Sequence, residues 1–428
     1  MAATSTRTRA ALCIALAGFA AFAVYFCMYG FRKPFAVASW EDEAGLGSVG
    51  LKTLLVVAQL LGYTASKFLG ISVCSGEGQR KRAIWLVCLI LCAEAALLLL
   101  PVLPGPWKAL ALILNGLPLG MVWGLVVSYL EGRRAADGLM ALLSCSFIVS
   151  SGFAKDVGRW VMTQGVSEAW MPAATGALFV LPLLASVWLL NLTPPPDADD
   201  IAARSLRTPM TAEQRKAFVG RFRLPLVLLI SVYFLLTAFR DFRDNFAMEV
   251  LKELGGLESS VAFTRTELPV AFGVVATMAL LMLVRNNRRA LSATFAVMIA
   301  GLLCMGLSTL LFRSGQMAGP LWMTMMGLGA YAAYVPFNAV LFERVVAATR
   351  SPGNAVFAIY LADAFGYLGA VIVQAGRDLF FKGLSPAGFL ANFSLVLSGL
   401  GVVAFAAALH YFLVAADRAA PGPEQEPS

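Results

Sequence analysis

Two arginines stand at matching places in two similar phrases. Tyr25-Phe26 is followed by Phe31-Arg32, and Tyr233-Phe234 by Phe239-Arg240, so each copy reads Tyr-Phe-x4-Phe-Arg near the end of a long apolar run. Tyr25, Tyr29 and Arg32 are spaced i, i+4, i+7 and share one helix face, and Tyr233, Thr237 and Arg240 repeat the spacing. Hydroxyl groups leading to a guanidinium suit an oxyanion, because arginine offers a planar fork of donors and keeps its charge. An arginine at the centre of a membrane helix costs about 2.5–3.5 kcal/mol on an insertion scale. An anionic solute bound by one arginine from each half would supply the reason for two. The competing reading is that the side chains snorkel to the interface. Arg240 lies only about 24 Å along a helix from Arg223, short of the ~30 Å hydrocarbon core, which argues for a place inside. Asp244 follows Arg240 by one turn, so the two also fit a structural pair. Arg32 alone would then attract a monoanion or a zwitterion.

Other polar residues fall inside apolar stretches. Glu94 and Asp363 are mid-span carboxylates, suited to proton coupling or to charge pairing. Tyr331, Tyr334, Tyr360 and Tyr367 fit either a solute route or aromatic packing, and Gln59, Asn115, Asn338 and Gln374 fit either solute hydroxyls or interhelical hydrogen bonds. Gly116, Gly120 and Gly124, and Gly366 with Gly369, are spaced for close helix approach. One histidine (His410), seven scattered cysteines, no phosphate loop and no metal-ligand cluster leave little from which to build an enzyme. No cofactor or metal is expected.

These residues need long apolar helices to carry them. Hydrophobic residues make up 59% and charged residues 14% of the 428, against about 25% charged in a soluble domain. The pattern predicts an all-α polytopic membrane protein with twelve spans: 10–31, 51–71, 83–102, 107–130, 138–157, 171–191, 224–246, 266–284, 290–312, 318–342, 353–374 and 388–415. A polar stretch opening Pro194-Pro195-Pro196, helical around Thr211–Phe218, divides the spans six and six. The expected parts are two pseudosymmetric six-helix bundles, 1–192 and 224–416, a cytoplasmic linker, 193–223, and a disordered tail, 417–428. Most of the basic residues fall at the N-terminus and in the even-numbered loops, which places both termini in the cytoplasm by the positive-inside rule. The net charge of +8 therefore reports orientation in an inner or plasma membrane, and no nucleic-acid partner is expected. Arg7 and Arg9 before Ala21-Phe22-Ala23 resemble a cleaved leader, but cleavage would remove most of the helix that matches residues 224–246 and leave an odd number of spans. The expected partners are the bilayer and a small solute, with a monomeric chain.

The halves match further at Glu131 and Glu343, and at Gly158-Arg159 and Gly376-Arg377. Parallel repeats of this kind resemble the major facilitator superfamily. Within it, Tyr25-x3-Tyr29-x2-Arg32-Lys33-x-Phe35, Ser66-Lys67-Phe68, and Arg240 followed by Val250-Leu251-Lys252-Glu253 are similar to motifs of the organophosphate:phosphate antiporters. That resemblance implies solute phosphate bound by Arg32 and Arg240, with Lys67 assisting, and exchange as the mode of transport. The chain departs from that family at Phe147, where a histidine is usual, and in the loop Ser75 to Arg82. The expected function is a secondary transporter of a small organic anion. The rivals are a proton-coupled carrier or drug exporter for neutral or cationic solutes, and a non-transporting sensor on the same scaffold.

Overall fold

The computed structural model describes residues 2–74, 79–130, 136–194, 212–257, 259–349, 355–381 and 383–418. Side chains are described for these except residues 2–11, 67–74, 79–80, 136–137, 141, 145, 212, 355–357, 360 and 416–418. Lys67, Tyr360, most of the loop Ser75 to Arg82, residues 195–211 of the linker and the end of the tail thus lie outside what is described.

The chain is helical throughout. In order run α1 (Ala2–Arg32), α2 (Leu51–Cys74), α3 (Gln79–Leu97), α4 (Lys108–Leu130), α5 (Ala136–Thr163), α6 (Met171–Asn191) and α7 (Ala212–Arg221). There follow α8 (Arg223–Asn245), α9 (Ala247–Glu253), α10 (Ala262–Met282), α11 (Asn287–Arg313), α12 (Gly319–Pro336), α13 (Phe342–Ala348), α14 (Ala355–Phe380) and α15 (Pro386–Arg418). A helix stands at each of the twelve expected places. Among the described residues, nine are long and apolar enough to cross a membrane. The helices at the other three places, α2, α3 and α14, do not meet that measure over the described residues, and α2 contributes the shorter apolar segment Leu51–Ser66.

The chain divides into two compact units. The first comprises Met1–Ser205, Phe242–Ala271 and Val371–Phe389, and the second Leu206–Asp241, Phe272–Ala370 and Leu390–Ser428. In the first unit α2 packs most closely on α4, and α1 on α5 and α6. Glycine makes the α2–α4 approach possible. A Cβ on Gly116 would meet the Gln59 carbonyl at 2.3 Å, and one on Gly120 would meet Ser66 Oγ at 1.7 Å. In the second unit a Cβ on Gly366 would meet Thr237 Oγ1 at 2.7 Å and the Tyr233 ring at 2.8 Å, so α14 lies directly on α8. The glycines singled out as packing features at 116, 120, 366 and 369 all stand at such close approaches.

Candidate functional sites

The end of α1 is fixed by its own unfinished hydrogen bonds. Pro34 has no N–H to extend the helix, and a 3-10 turn, Pro34–Val37, follows. The carbonyls of Phe31 and Arg32 are satisfied from other helices. Asn115 Nδ2 donates to Phe31 O (3.1 Å) and to Ala93 O (3.0 Å), while Gln59 Nε2 donates to Arg32 O (3.0 Å) and to Asn115 Oδ1 (2.8 Å). Of the four amides noted in the sequence, these two are structural. They hold Arg32 so that its guanidinium lies 4.2 Å from the centre of the Tyr63 ring and 5.6 Å from that of Tyr29. Tyr25 packs edge-on against Tyr29 and Trp123, at 5.7 and 5.0 Å between ring centres. A guanidinium on aromatic faces gains about 0.5–2 kcal/mol, more as water is excluded.

Arg240, in the second unit, has the same kind of seat. Its guanidinium lies 4.3 Å from the centre of the Tyr334 ring, and Tyr331 and Tyr367 are close enough to interact with it electrostatically. Its carboxylate partner is Asp241, with Nη2 to Oδ1 at 2.8 Å. The local pairing with Asp244 allowed by the one-turn spacing does not form. Asp244 is taken instead by Lys33, just past the end of α1, and by Lys155 of α5. Thr237, the third member of the repeated face, bonds back to the Tyr233 carbonyl at 2.8 Å and packs against Gly366.

Beside Arg240 lies a hydrogen-bonded chain built on Asp363. Tyr233 donates to the Asp363 carboxylate, its oxygen lies 3.0 Å from the Tyr334 hydroxyl, and Asn338 Nδ2 donates to it at 3.1 Å. Pro336 ends α12, and Asn338 follows in a π-helical turn, Phe337–Leu341, a local unwinding often found at functional sites. Gly366, one turn beyond Asp363, lets α14 come near enough for the carboxylate to reach Tyr233. The arrangement admits two proton patterns. An ionised Asp363 accepts from Tyr233; a protonated one donates to Tyr233, whose own O–H turns to Tyr334.

Glu94 stands apart, on α3 in the first unit. Its carboxylate sits where a side chain on Gly176 would be, a Cβ there lying 2.0 Å from Oε2, and that oxygen has no hydrogen-bond partner among the described residues. No cation among the described residues bridges it.

The spacing of residues gave no sign of the largest polar network. In the first unit Lys33 Nζ and Lys155 Nζ each approach the Asp244 carboxylate to 2.6 Å, Lys33 also donates to Asn245 at 2.8 Å, and Ser151 donates to Asp244. Lys52 pairs with Glu249, Arg243 with Glu267 at 2.9 Å, and Asp156 accepts from the first amides of α10, Phe263 N at 3.1 Å and Thr264 N at 2.7 Å. Lys33, Lys52, Lys155 and Arg243 stand against Asp156, Asp244, Glu249 and Glu267, so the formal charge cancels. The available signal was Lys155-Asp156 inside an otherwise apolar span.

The helical fold has counterparts among solved membrane transporters. It is similar to a D-xylose–proton symporter at 14% identity and TM-score 0.60, covering 92% of this chain and 96% of that one. It is also similar to a bacterial homologue of the human drug peptide transporters PepT1 and PepT2, at 13% and 0.61 over 95% and 99%. The nucleoside transporter NupG is similar at 13% and 0.58, over 93% and 98%. At such identities the likeness is one of fold. Residues 34–414 match DUF5690, described as a family of unknown function, and the chain belongs to that family. No curated protein matches the chain in sequence.

Proposed function

We propose that the chain is a twelve-span carrier, not an enzyme, that moves a small polar organic solute by alternating access, coupled to a proton on Asp363. Both termini lie in the cytoplasm on this reading, as the distribution of basic residues supports. The observation that carries it is the chain Asp363–Tyr233–Tyr334 with Asn338 beside it, a carboxylate able to gain or lose a proton without breaking its network. Charge supports the same reading. Asp241 pairs with Arg240 at 2.8 Å and offsets its charge. An anion gains little from such a pair, which weakens the expectation of two arginines gripping a phosphate. The similar D-xylose protein is a proton symporter, which is in keeping.

The test is uptake by the full chain in proteoliposomes, with and without an imposed proton gradient, using labelled pentoses, nucleosides, short peptides and phosphate esters. Asp363→Asn should abolish gradient-driven accumulation of the transported solute and leave downhill exchange. Accumulation equal to the parent in Asp363→Asn would exclude the coupling role.

A second reading, an organic-anion carrier of the organophosphate kind, is favoured by the matched seats of Arg32 and Arg240 on tyrosine rings at 4.2 and 4.3 Å. Phosphate-ester exchange that needs no proton gradient, and is lost in both Arg32→Ala and Arg240→Ala, would select it over the first.

A further inference from the structure

The second unit carries a small cavity remote in sequence from the Asp363 chain. It is a partly open hollow of about 320 Å³, lined by Arg221, Phe222, His410, Tyr411, Val414 and Ala415. It sits where α7 gives way to α8 and where α15 nears its end. Phe222, in its lining, packs on Phe218 and Phe412 with ring centres 5.2 and 5.6 Å apart, and the Tyr411 hydroxyl donates to the Arg221 carbonyl at 3.1 Å. These contacts hold the two helices together at the cavity.

Depth, charge and shape agree on an occupant. By length and composition one apolar span begins at Arg223 and another runs to Ala415, so the cavity stands at the ends of two spans, where a bilayer would place its headgroups. Arg221, His410 and Tyr411 supply the polar lining, and among the described residues no carboxylate joins them. Arg215, Lys216 and Arg223 add positive charge along the same stretch, against one acid, Glu213. Phe222, Val414 and Ala415 give it an apolar wall. Basic pockets between helices at a membrane face hold anionic headgroups, and tyrosine is enriched at that depth.

We infer that this cavity binds the phosphodiester headgroup of an anionic phospholipid. Arg221 and His410 donate to phosphate oxygens, and the glycerol and upper acyl carbons lie on Phe222 and Val414. Neither residue belongs to the proposed transport machinery, so the inference stands or falls independently of it.

The test uses the detergent-purified full chain and three soluble probes: short-chain phosphatidylglycerol, short-chain phosphatidylcholine and inorganic phosphate. Phosphatidylglycerol should bind saturably to one site, with phosphatidylcholine much weaker. Arg221→Gln should weaken that binding about fivefold, as expected for one cation near a phosphate, while Arg221→Lys retains it. His410→Gln should weaken it as well. The inference is overturned if the two lipids bind alike, or if Arg221→Gln leaves the affinity for phosphatidylglycerol unchanged. Complete displacement of the lipid by inorganic phosphate at matched concentration would reassign the cavity to a soluble anion.

Discussion

Replacing Asp244 by alanine tests the network of the first unit most directly. The carboxylate answers two ammonium groups that are almost without water, Lys33 being 4% and Lys155 1% exposed. Removing one partner of a buried pair costs about 3–5 kcal/mol, because a charge is left buried without compensation. Two lysines share this carboxylate, yet the losses should not double. Lys155 keeps the main-chain oxygen of residue 244 at 3.0 Å, and Lys33 keeps Asn245 at 2.8 Å. The expected loss is therefore about 3–5 kcal/mol in total. Each kcal/mol moves the midpoint of a chain this long by about 1–2 °C, so thermal unfolding in detergent should begin about 3–10 °C lower. A second variant separates charge from packing. Asp244→Leu combined with Lys33→Met and Lys155→Met removes all three charges and should recover most of the loss, since replacing a whole buried ion cluster by apolar groups is near neutral. The reasoning fails if Asp244→Ala melts within about 1 °C of the parent, or if the uncharged triple variant is less stable than the single one.

Three further outcomes follow from other contacts. Asn115→Leu should destabilise by about 2–5 kcal/mol in the same unfolding assay, because it strands the buried carbonyls of Phe31 and Ala93 and frees the Gln59 amide. Gly366→Ala should cost about 1–3 kcal/mol by forcing α14 away from Thr237 and Tyr233; it should also reduce proton-driven uptake more than downhill exchange, because the Tyr233–Asp363 contact lengthens. Gln374 is 1% exposed, and among the described residues neither its amide nitrogen nor its amide oxygen has a hydrogen-bond partner. Gln374→Leu should accordingly raise stability by about 1–2 kcal/mol, and a lower melting temperature would show that the amide is satisfied in the folded protein.

Position along the chain carried the helices and the repeat, because membrane spans declare themselves by length and apolarity and a helix face by its period. The close approaches at Gly116, Gly120 and Gly366 follow that legible part. Charge partnership did not follow, and Asp244 shows why. The one-turn spacing from Arg240 promised a local pair worth only about 0.2–0.5 kcal/mol on an isolated helix. Two lysines from distant helices outbid it once the fold had removed water around them. Arg240 then settled for Asp241, its chain neighbour, by bending its long side chain back. A period of 3.6 ranks candidates on one helix, whereas the winner is set by which other helices arrive and how dry the meeting place is. The same limit hid Tyr63 and the bond from Asn338 to Tyr233: the first reaches Arg32 through the α2–α4 glycine contact, and the second stands in a π turn after Pro336. A buried lysine beside an aspartate within an apolar span, as at Lys155-Asp156, is therefore the sequence feature to weigh most heavily in chains of this kind, since neither charge enters such a helix without a partner elsewhere in the fold.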